Sequence, residues 1–327
     1  MASFNWNKKS ILITGGTGSF GQKCTEILLS KYGPQRLVIY SRDELKQEQM
    51  RRKFETEPHF ENLRFFLGDV RDKERLKRAL YGVDIVIHAA ALKQVPAAEY
   101  NPNEAILTNI IGSRNVLEAA IDTGVERTLA LSTDKAVNPI NLYGATKLVA
   151  EKLFVQGNSY VGDRISKFSC VRYGNVIGSR GSVIPLFKSQ SKSGKITITD
   201  KDMTRFWISL DQGVKFVLDR IEQMLGGEIF IPKIPSMKIL DLADAIAPDC
   251  DKEIINIRPG EKISEILISK EESINTIEYD DMYLIQPLFP WWSGDRWPKG
   301  KSVPKFFEYR SDNNSWWMET DELRNLV

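Results

Sequence analysis

The segment Ser10–Gly21, SILITGGTGSFG, leaves this chain few folds to choose from. SILIT is an unbroken run of mostly apolar and β-branched residues, as expected of a strand buried on both faces. It passes directly into Thr14-Gly15-Gly16-Thr17-Gly18-Ser19-Phe20-Gly21, where Gly15, Gly18 and Gly21 are spaced Gly-x-x-Gly-x-x-Gly. Residues without Cβ let the backbone turn tightly, approach a pyrophosphate and pack the next helix on the strand. The helix start then offers backbone N–H groups and the positive end of its dipole to a phosphate. Three glycines alone specify only a tight turn. At a first strand-to-helix junction they predict a dinucleotide loop built from Gly15, Thr17, Gly18, Ser19, Phe20 and Gly21.

The same rhythm continues. RLVIY, LRFFLGD, VDIVIHAAA, VERTLALST and KFSCVRY read as further strands, separated by helical stretches such as Glu44–Glu57, Lys73–Leu80 and Asn103–Thr123. Strands alternating with helices predict an α/β fold: a Rossmann-like doubly wound parallel sheet with a smaller C-terminal substrate-binding domain. Residues 1–175 are expected to form the dinucleotide domain, with GEIFIP near 227–232 returning to its sheet as a strand. Residues 176–327 form the second region, partly interleaved with the first. From about Asp280 the chain turns rich in Trp, Pro and Asn, and such a tail must dock on the body to be ordered.

Composition removes several function classes. Lys and Arg number 45 against 43 Asp and Glu, so a net charge of +2 gives no support to a nucleic-acid binder. Cys24, Cys170 and Cys250 lack paired spacing and read as reduced thiols of a cytoplasmic protein. Two histidines, His59 and His88, are too few and too far apart for a His-rich zinc site, so no metal is expected. No apolar run approaches the ~20 residues of a membrane span. The start, MASFNWNKKS, lacks the apolar core of a signal peptide.

The second strand ends in Tyr40-Ser41-Arg42-Asp43-Glu44, about twenty residues beyond the glycines. Asp43 there would suit the ribose 2′-OH of NAD, whereas Ser41 and Arg42 suit a 2′-phosphate, so NADP is the expected cofactor. Asp69-Val70, closing the third strand, would lie beside adenine. Tyr143 and Lys147 stand four apart on one helical face, about 120 residues after the glycine loop and following Ser132-Thr133. A neighbouring ammonium favours phenolate, which makes Tyr143 a usable base for an alcohol proton.

These motifs resemble the extended, nucleotide-sugar-modifying branch of the short-chain dehydrogenase/reductase superfamily, across nearly the whole chain. Asp134-Lys135 directly after Thr133 is similar to the acid/base pair of inverting UDP-N-acetylglucosamine 4,6-dehydratases, whose retaining counterparts usually carry Asp-Glu. The strings STDKAVNPINLYGATK (132–147), SRDELK (41–46), HAAALK (88–93), RYGNVIGSRGS (172–182), MTRFW (203–207), GEIFIPKIPSM (227–237) and RPGEK (258–262) resemble the pseudaminic-acid-pathway members of that group.

The resemblance implies UDP-N-acetylglucosamine as substrate and a homo-oligomer as the assembly. It adds Leu45, Lys46, Ala89, Lys93 and Val176 to the cofactor contacts. It assigns Lys93, Thr133, Asn175, Arg180, Arg205 and Arg258 to the sugar nucleotide. Tyr143, helped by Lys147 and Thr133, would take the 4-OH proton as hydride leaves C4. Lys135, unprotonated, would remove the C5 hydrogen, and Asp134, neutral, would protonate the departing 6-hydroxyl. Both forms require shifted pKa values. A UDP-sugar 4-epimerase would share the loop and the Tyr/Lys pair without needing Asp134 and Lys135, and a cofactor-sensing Rossmann protein would bind without turnover. The tail around Asn313–Trp316 either closes over the nucleotide or docks by packing.

Overall fold

The computed structural model describes residues 4–179, 181–288, 297 and 299–326. Seven parallel strands form the body of a ten-stranded sheet. They are β1 (Ser10–Thr14), β2 (Arg36–Ser41), β3 (Leu63–Leu67), β4 (Ile85–His88), β5 (Arg127–Thr133), β6 (Lys167–Tyr173) and, after the two-residue β7 (Asn175–Val176), β8 (Lys195–Ile198) and β9 (Thr204–Ile208), β10 (Ile229–Pro232). The spatial order is β3-β2-β1-β4-β5-β6-β10. β1 therefore pairs with β2 on one side and β4 on the other, with Thr14 opposite both Tyr40 and His88. The chain reverses direction across the sheet between these neighbours, which opens a crevice at the carboxyl ends of the strands.

The helices are α1 (Ser19–Ile27), α2 (Glu44–Phe54), α3 (Lys73–Leu80), α4 (Val95–Tyr100), α5 (Pro102–Ala105), α6 (Gly112–Thr123), α7 (Leu142–Gly157), α8 (Val183–Gln190) and α9 (Leu210–Gln223). α3, α6 and α7 pack beside one another, and α1 packs on α9. Strand β1 is buried along its full length, as a strand covered on both faces must be. Helix starts follow from local chemistry. Asp43, Asp72 and Asn141 each cap a helix with a side-chain oxygen, and Ser209 with Gln212 forms a capping box.

The remaining elements are β11 (Ser236–Lys238), α10 (Ile239–Ile246), β12 (Asp251–Ile254), β13 (Ile266–Ile268), β14 (Thr276–Glu278), β15 (Met282–Ile285), β16 (Lys301–Ser302), β17 (Tyr309–Arg310) and α11 (Thr320–Leu326). A second hydrophobic cluster, separate from that of the main sheet, gathers Ile184, Phe187, Ile198, Met203, Trp207, Leu242 and Leu323. It is built from α8, β8, β9, α10 and α11.

The sequence reading returns one strand to the main sheet after residue 176. The structure returns four: β10, which pairs parallel with β6, then β15, β14 and β16 in antiparallel order. MYLI of β15 is a short apolar run between Asp280-Asp281 and Pro287, and three or four residues carry too little periodicity to announce a strand. Arg172 on β6 fastens this later chain to the first part. Its guanidinium binds Glu151 of α7 at 2.7 and 3.0 Å, Glu272 at 2.9 and 3.0 Å, and the Leu267 carbonyl at 2.9 Å.

Candidate active site

The crevice is a cleft of about 650 Å³ bounded by the loops after β1, β4, β5 and β6. Gly15, Thr17, Gly18, Ser19, Phe20 and Gly21 all line it. Gly15 has φ +64°, and a Cβ there would lie 2.8 Å from Ala90 Cα, so only glycine fits between the first and fourth strand ends. Thr14 Oγ1 ties the same two ends together by accepting the N–H groups of Ala89 (3.2 Å) and Ala90 (3.3 Å). The loop fits a dinucleotide: bare backbone faces the cleft, and α1 starts there with Gly18 as its N-cap.

At the β2 and β3 ends, Asp43 is committed locally. Its Oδ1 accepts the Lys46 N–H at 3.0 Å, and Oδ2 pairs with Lys46 Nζ at 2.7 Å, which holds its carboxyl below the usual range. Ser41 is buried, with its hydroxyl accepting from Gln47 at 3.0 Å. Arg42 is half-exposed, 3.5 Å from Asp69. Glu44 and Leu45 are exposed on the first turn of α2, and Val70 is buried against Gly112. Of this group, Lys46 lines the cleft, as do Ala89, Lys93, Asn175 and Val176.

Thr133 ends β5, and a single 3₁₀ turn, Asp134–Ala136, follows it. Asn141 then caps α7, which carries Tyr143 and Lys147 into the cleft. Lys147 Nζ donates to the Leu131 carbonyl at 2.6 Å, and burial lowers its pKa. Burial pushes the Tyr143 phenol up to about 12. The cation that opposes this shift is Lys135, helped by a hydrogen bond with Thr133. Lys147 shares the cleft wall with Tyr143, with its ammonium on the β5 backbone.

Asp134 is fully buried, behind the cleft wall. Its Oδ1 accepts from Thr133 Oγ1 at 2.9 Å and from Lys135 Nζ at 3.1 Å, while Oδ2 has no hydrogen-bond partner. Lys135 lines the cleft and meets a second carboxylate, Glu265 Oε1, at 3.0 Å. Burial works against its charge, yet Asp134 and Glu265 outweigh burial and raise the ammonium pKa above its ordinary value. A downward shift, needed for a free amine at rest, is therefore not what the pocket provides. Asp134 contributes most to this rise, and Glu265, which no sequence motif marks and which arrives from far along the chain, adds to it.

Arg205 is buried, with Nη1 donating to the carbonyls of Thr204 (2.7 Å) and Ile263 (3.1 Å) and Nε 3.8 Å from Glu265. It is absent from the cleft wall, and so is Arg258, which is exposed near Glu261 at 4.0 Å. Arg180 lies outside the described residues. Among the described residues the tail docks on the second region: Asn314 binds the Ile234 carbonyl and Ser236 Oγ, and Met318 and Leu323 join the second cluster. Neither histidine lines the cleft. Among the described residues no cluster of three His, Cys, Asp or Glu could hold a metal, and no helix is long and apolar enough to cross a membrane.

Residues 11–287 match the family described as polysaccharide biosynthesis protein. The chain is 54% identical to a UDP-N-acetylglucosamine 4,6-dehydratase (inverting) of Campylobacter jejuni, over 98% of both chains. It is 44% identical to a UDP-glucose 4-epimerase of Rickettsia conorii, over 85% of this chain and 82% of that one. Among solved structures, Pen from Bacillus thuringiensis superposes with a TM-score of 0.90 at 37% identity, covering 99% of this chain and 98% of that one. This chain belongs to the polysaccharide biosynthesis protein family, among inverting UDP-N-acetylglucosamine 4,6-dehydratases.

Proposed function

We infer that the protein converts UDP-N-acetylglucosamine to the 6-deoxy-4-keto sugar nucleotide with inversion at C5, using NADP. The observation that carries this reading is the Lys135–Asp134 pair, 3.1 Å apart and beside Thr133 and Tyr143. An alcohol oxidation needs no such pair; an elimination needs both a base and an acid.

As the phenolate, favoured against burial by the Lys135 cation and the Thr133 hydrogen bond, Tyr143 would accept the proton of the sugar 4-OH. The glycine loop with Lys46 and Lys93 would hold the nicotinamide cofactor, which when bound would supply a hydride acceptor for C4 and a hydride donor for C6. The 4-ketone acidifies the C5 hydrogen. One proton passing from Lys135 Nζ to Asp134 turns an ion pair into a free amine and a neutral acid, the two forms the elimination requires. Asp134 Oδ1, which contacts both Lys135 Nζ and the Thr133 hydroxyl, is the place for that proton. Lys135 then takes the C5 proton. The Thr133 hydroxyl gives its proton to the departing 6-oxygen and is refilled by Asp134, 2.9 Å away, so the oxygen leaves as water. Ammonium and carboxylate are restored in the same step. Reprotonation of C5 from the opposite face completes the inversion.

NADP rather than NAD is supported by Asp43, whose carboxylate caps α2 and pairs with Lys46, while Arg42 extends half-exposed beside it. Residues 1–175 with β10 serve as the cofactor domain, and 176–327 mainly as the UDP-sugar region. The reading includes a cytoplasmic homo-oligomer acting first in pseudaminic acid formation, in keeping with the free, buried thiols of Cys24 and Cys170.

Incubation with UDP-N-acetylglucosamine in D₂O, followed by proton NMR, tests the assignment. A new C6 methyl signal, deuterium at C5 and L-arabino stereochemistry are expected. A C4 epimer with its 6-hydroxyl intact would instead establish a 4-epimerase, the activity named for the Rickettsia relative. NADP binding without turnover would leave a sensor.

A further inference from the structure

We propose that Glu265 is a positioning residue for Lys135, holding its Nζ in the cleft as the fixed second counter-charge of the elimination. The inference rests on the dehydratase reading and adds to it a residue outside the Thr-Asp-Lys and Tyr-x-x-x-Lys motifs. Glu265 is 2% exposed, and Oε1 lies 3.0 Å from Lys135 Nζ, opposite the 3.1 Å contact to Asp134. Its other oxygen, Oε2, is buried without a hydrogen-bond partner. A carboxylate kept only for stability would normally have both oxygens satisfied, since a buried unpaired one is costly. The Glu265 side chain makes its short contact to Lys135, with Arg205 Nε farther off at 3.8 Å from the same oxygen.

The backbone holds Glu265 firmly. Its N–H donates to Ser311 Oγ at 2.9 Å, and its carbonyl accepts the Ser311 N–H at 2.9 Å. Ser311 is itself hydrogen-bonded to Thr204 of β9. The C-terminal tail thus sets the position of a group that touches the base, which gives the docked tail a part in the chemistry.

The charged and titratable groups around Lys135 are Asp134 on its own turn, Glu265 before β13, Arg205 on β9, Lys262 in the preceding loop and Tyr143 on α7. When Asp134 holds a proton, Glu265 is the remaining anion in contact with Lys135. It is therefore the partner for the ammonium that forms as the C5 proton arrives. No atom is added to the reaction, and the proton count is unchanged.

Two variants separate placement from charge. Glu265→Gln keeps an oxygen for Lys135 and removes the charge; Glu265→Ala removes both. Loss of placement in Glu265→Ala should lower kcat for 6-deoxy product by about 100-fold with KM within about threefold, the pattern of a mispositioned group. Glu265→Gln should stand at least about fivefold above Glu265→Ala, and its pH–rate profile should move to lower pH, because one anion beside Lys135 is gone. Independently of turnover, carbamylation of Lys135 by cyanate at about pH 8, read by mass spectrometry, should run about threefold or more faster in Glu265→Gln, because loss of one anion leaves more of the lysine as free amine. Unchanged carbamylation, or a Glu265→Ala variant with wild-type kcat, would overturn the proposal. If wild-type protein makes no 6-deoxy sugar, the dehydratase reading fails, while the cyanate result still decides whether Glu265 governs Lys135.

Discussion

Gly144 lies against the Lys135 carbonyl so closely that any side-chain carbon at position 144 would overlap that oxygen. Gly144 follows Tyr143 on α7, and Lys135 belongs to the turn after β5, so one backbone contact sets the spacing between the two halves of the acid/base machinery. Gly144→Ala must push helix and turn apart. We expect a loss of about 1–3 kcal/mol in stability, as for other overpacked sites. Turnover should drop by about 100-fold, the scale of a 1 Å misplacement. Thermal melting and steady-state rates check both, and normal kinetics would show that this contact does not set the geometry.

Lys135→Ala should abolish exchange at C5 and lower product formation by roughly 100- to 10,000-fold, the range for removal of a general base. NADP binding should survive, because Lys135 contacts Asp134 and Glu265 while the glycine loop is built elsewhere. Fluorescence titration alongside the D₂O experiment tests the pair of outcomes. Undiminished C5 exchange would remove Lys135 from its role.

Arg42→Ala should weaken NADP by roughly 10- to 150-fold and leave NAD within about twofold, since a charge-assisted contact to a 2′-phosphate is worth on the order of 1.5–3 kcal/mol. Calorimetric titration with each dinucleotide gives the ratio. An equal effect on both would mean that Arg42 does not read the 2′ position.

His88 predicts how stability responds to acid. Ser113 Oγ donates to the Asn109 carbonyl, so it accepts from His88 Nε2–H, which leaves Nδ1 to accept from the Thr14 hydroxyl at 2.7 Å. Thr14 Oγ1 already accepts two backbone N–H groups, so a second ring proton would find no acceptor there. Burial, with Lys147 nearby, accordingly drops the His88 pKa to about 3. The unfolded chain binds this proton near its ordinary 6.5, so stability falls as pH drops from 6.5 towards 3. The slope should approach about 1.4 kcal/mol per pH unit, and His88→Gln should flatten it. Urea unfolding across that range is the measurement; an unchanged slope would assign the acid sensitivity elsewhere.

What was readable beforehand was local. The glycine spacing, Thr133-Asp134-Lys135 and Tyr143-x-x-x-Lys147 each place their residues through one turn or one helical repeat, so the cleft lining they predict needs little tertiary information. The assignments that shifted depend on distant neighbours. Arg205 reads as a free cation in MTRFW, yet the Thr204 and Ile263 carbonyls occupy its Nη1.

The sequence by itself determined the parallel sheet, the dinucleotide loop at the β1–α1 junction and the helix that carries Tyr143 and Lys147. Apolar runs, glycine spacing and helical periodicity act over a few residues and need no partner from elsewhere. The tertiary structure alone decided the protonation of the site. A lysine's proton affinity depends on which charges lie within a few ångströms and how much water is excluded. For Lys135 those charges include Glu265, brought in by a C-terminal segment that Ser311 fastens to β9. Nothing in the order of residues around position 135 records that neighbour.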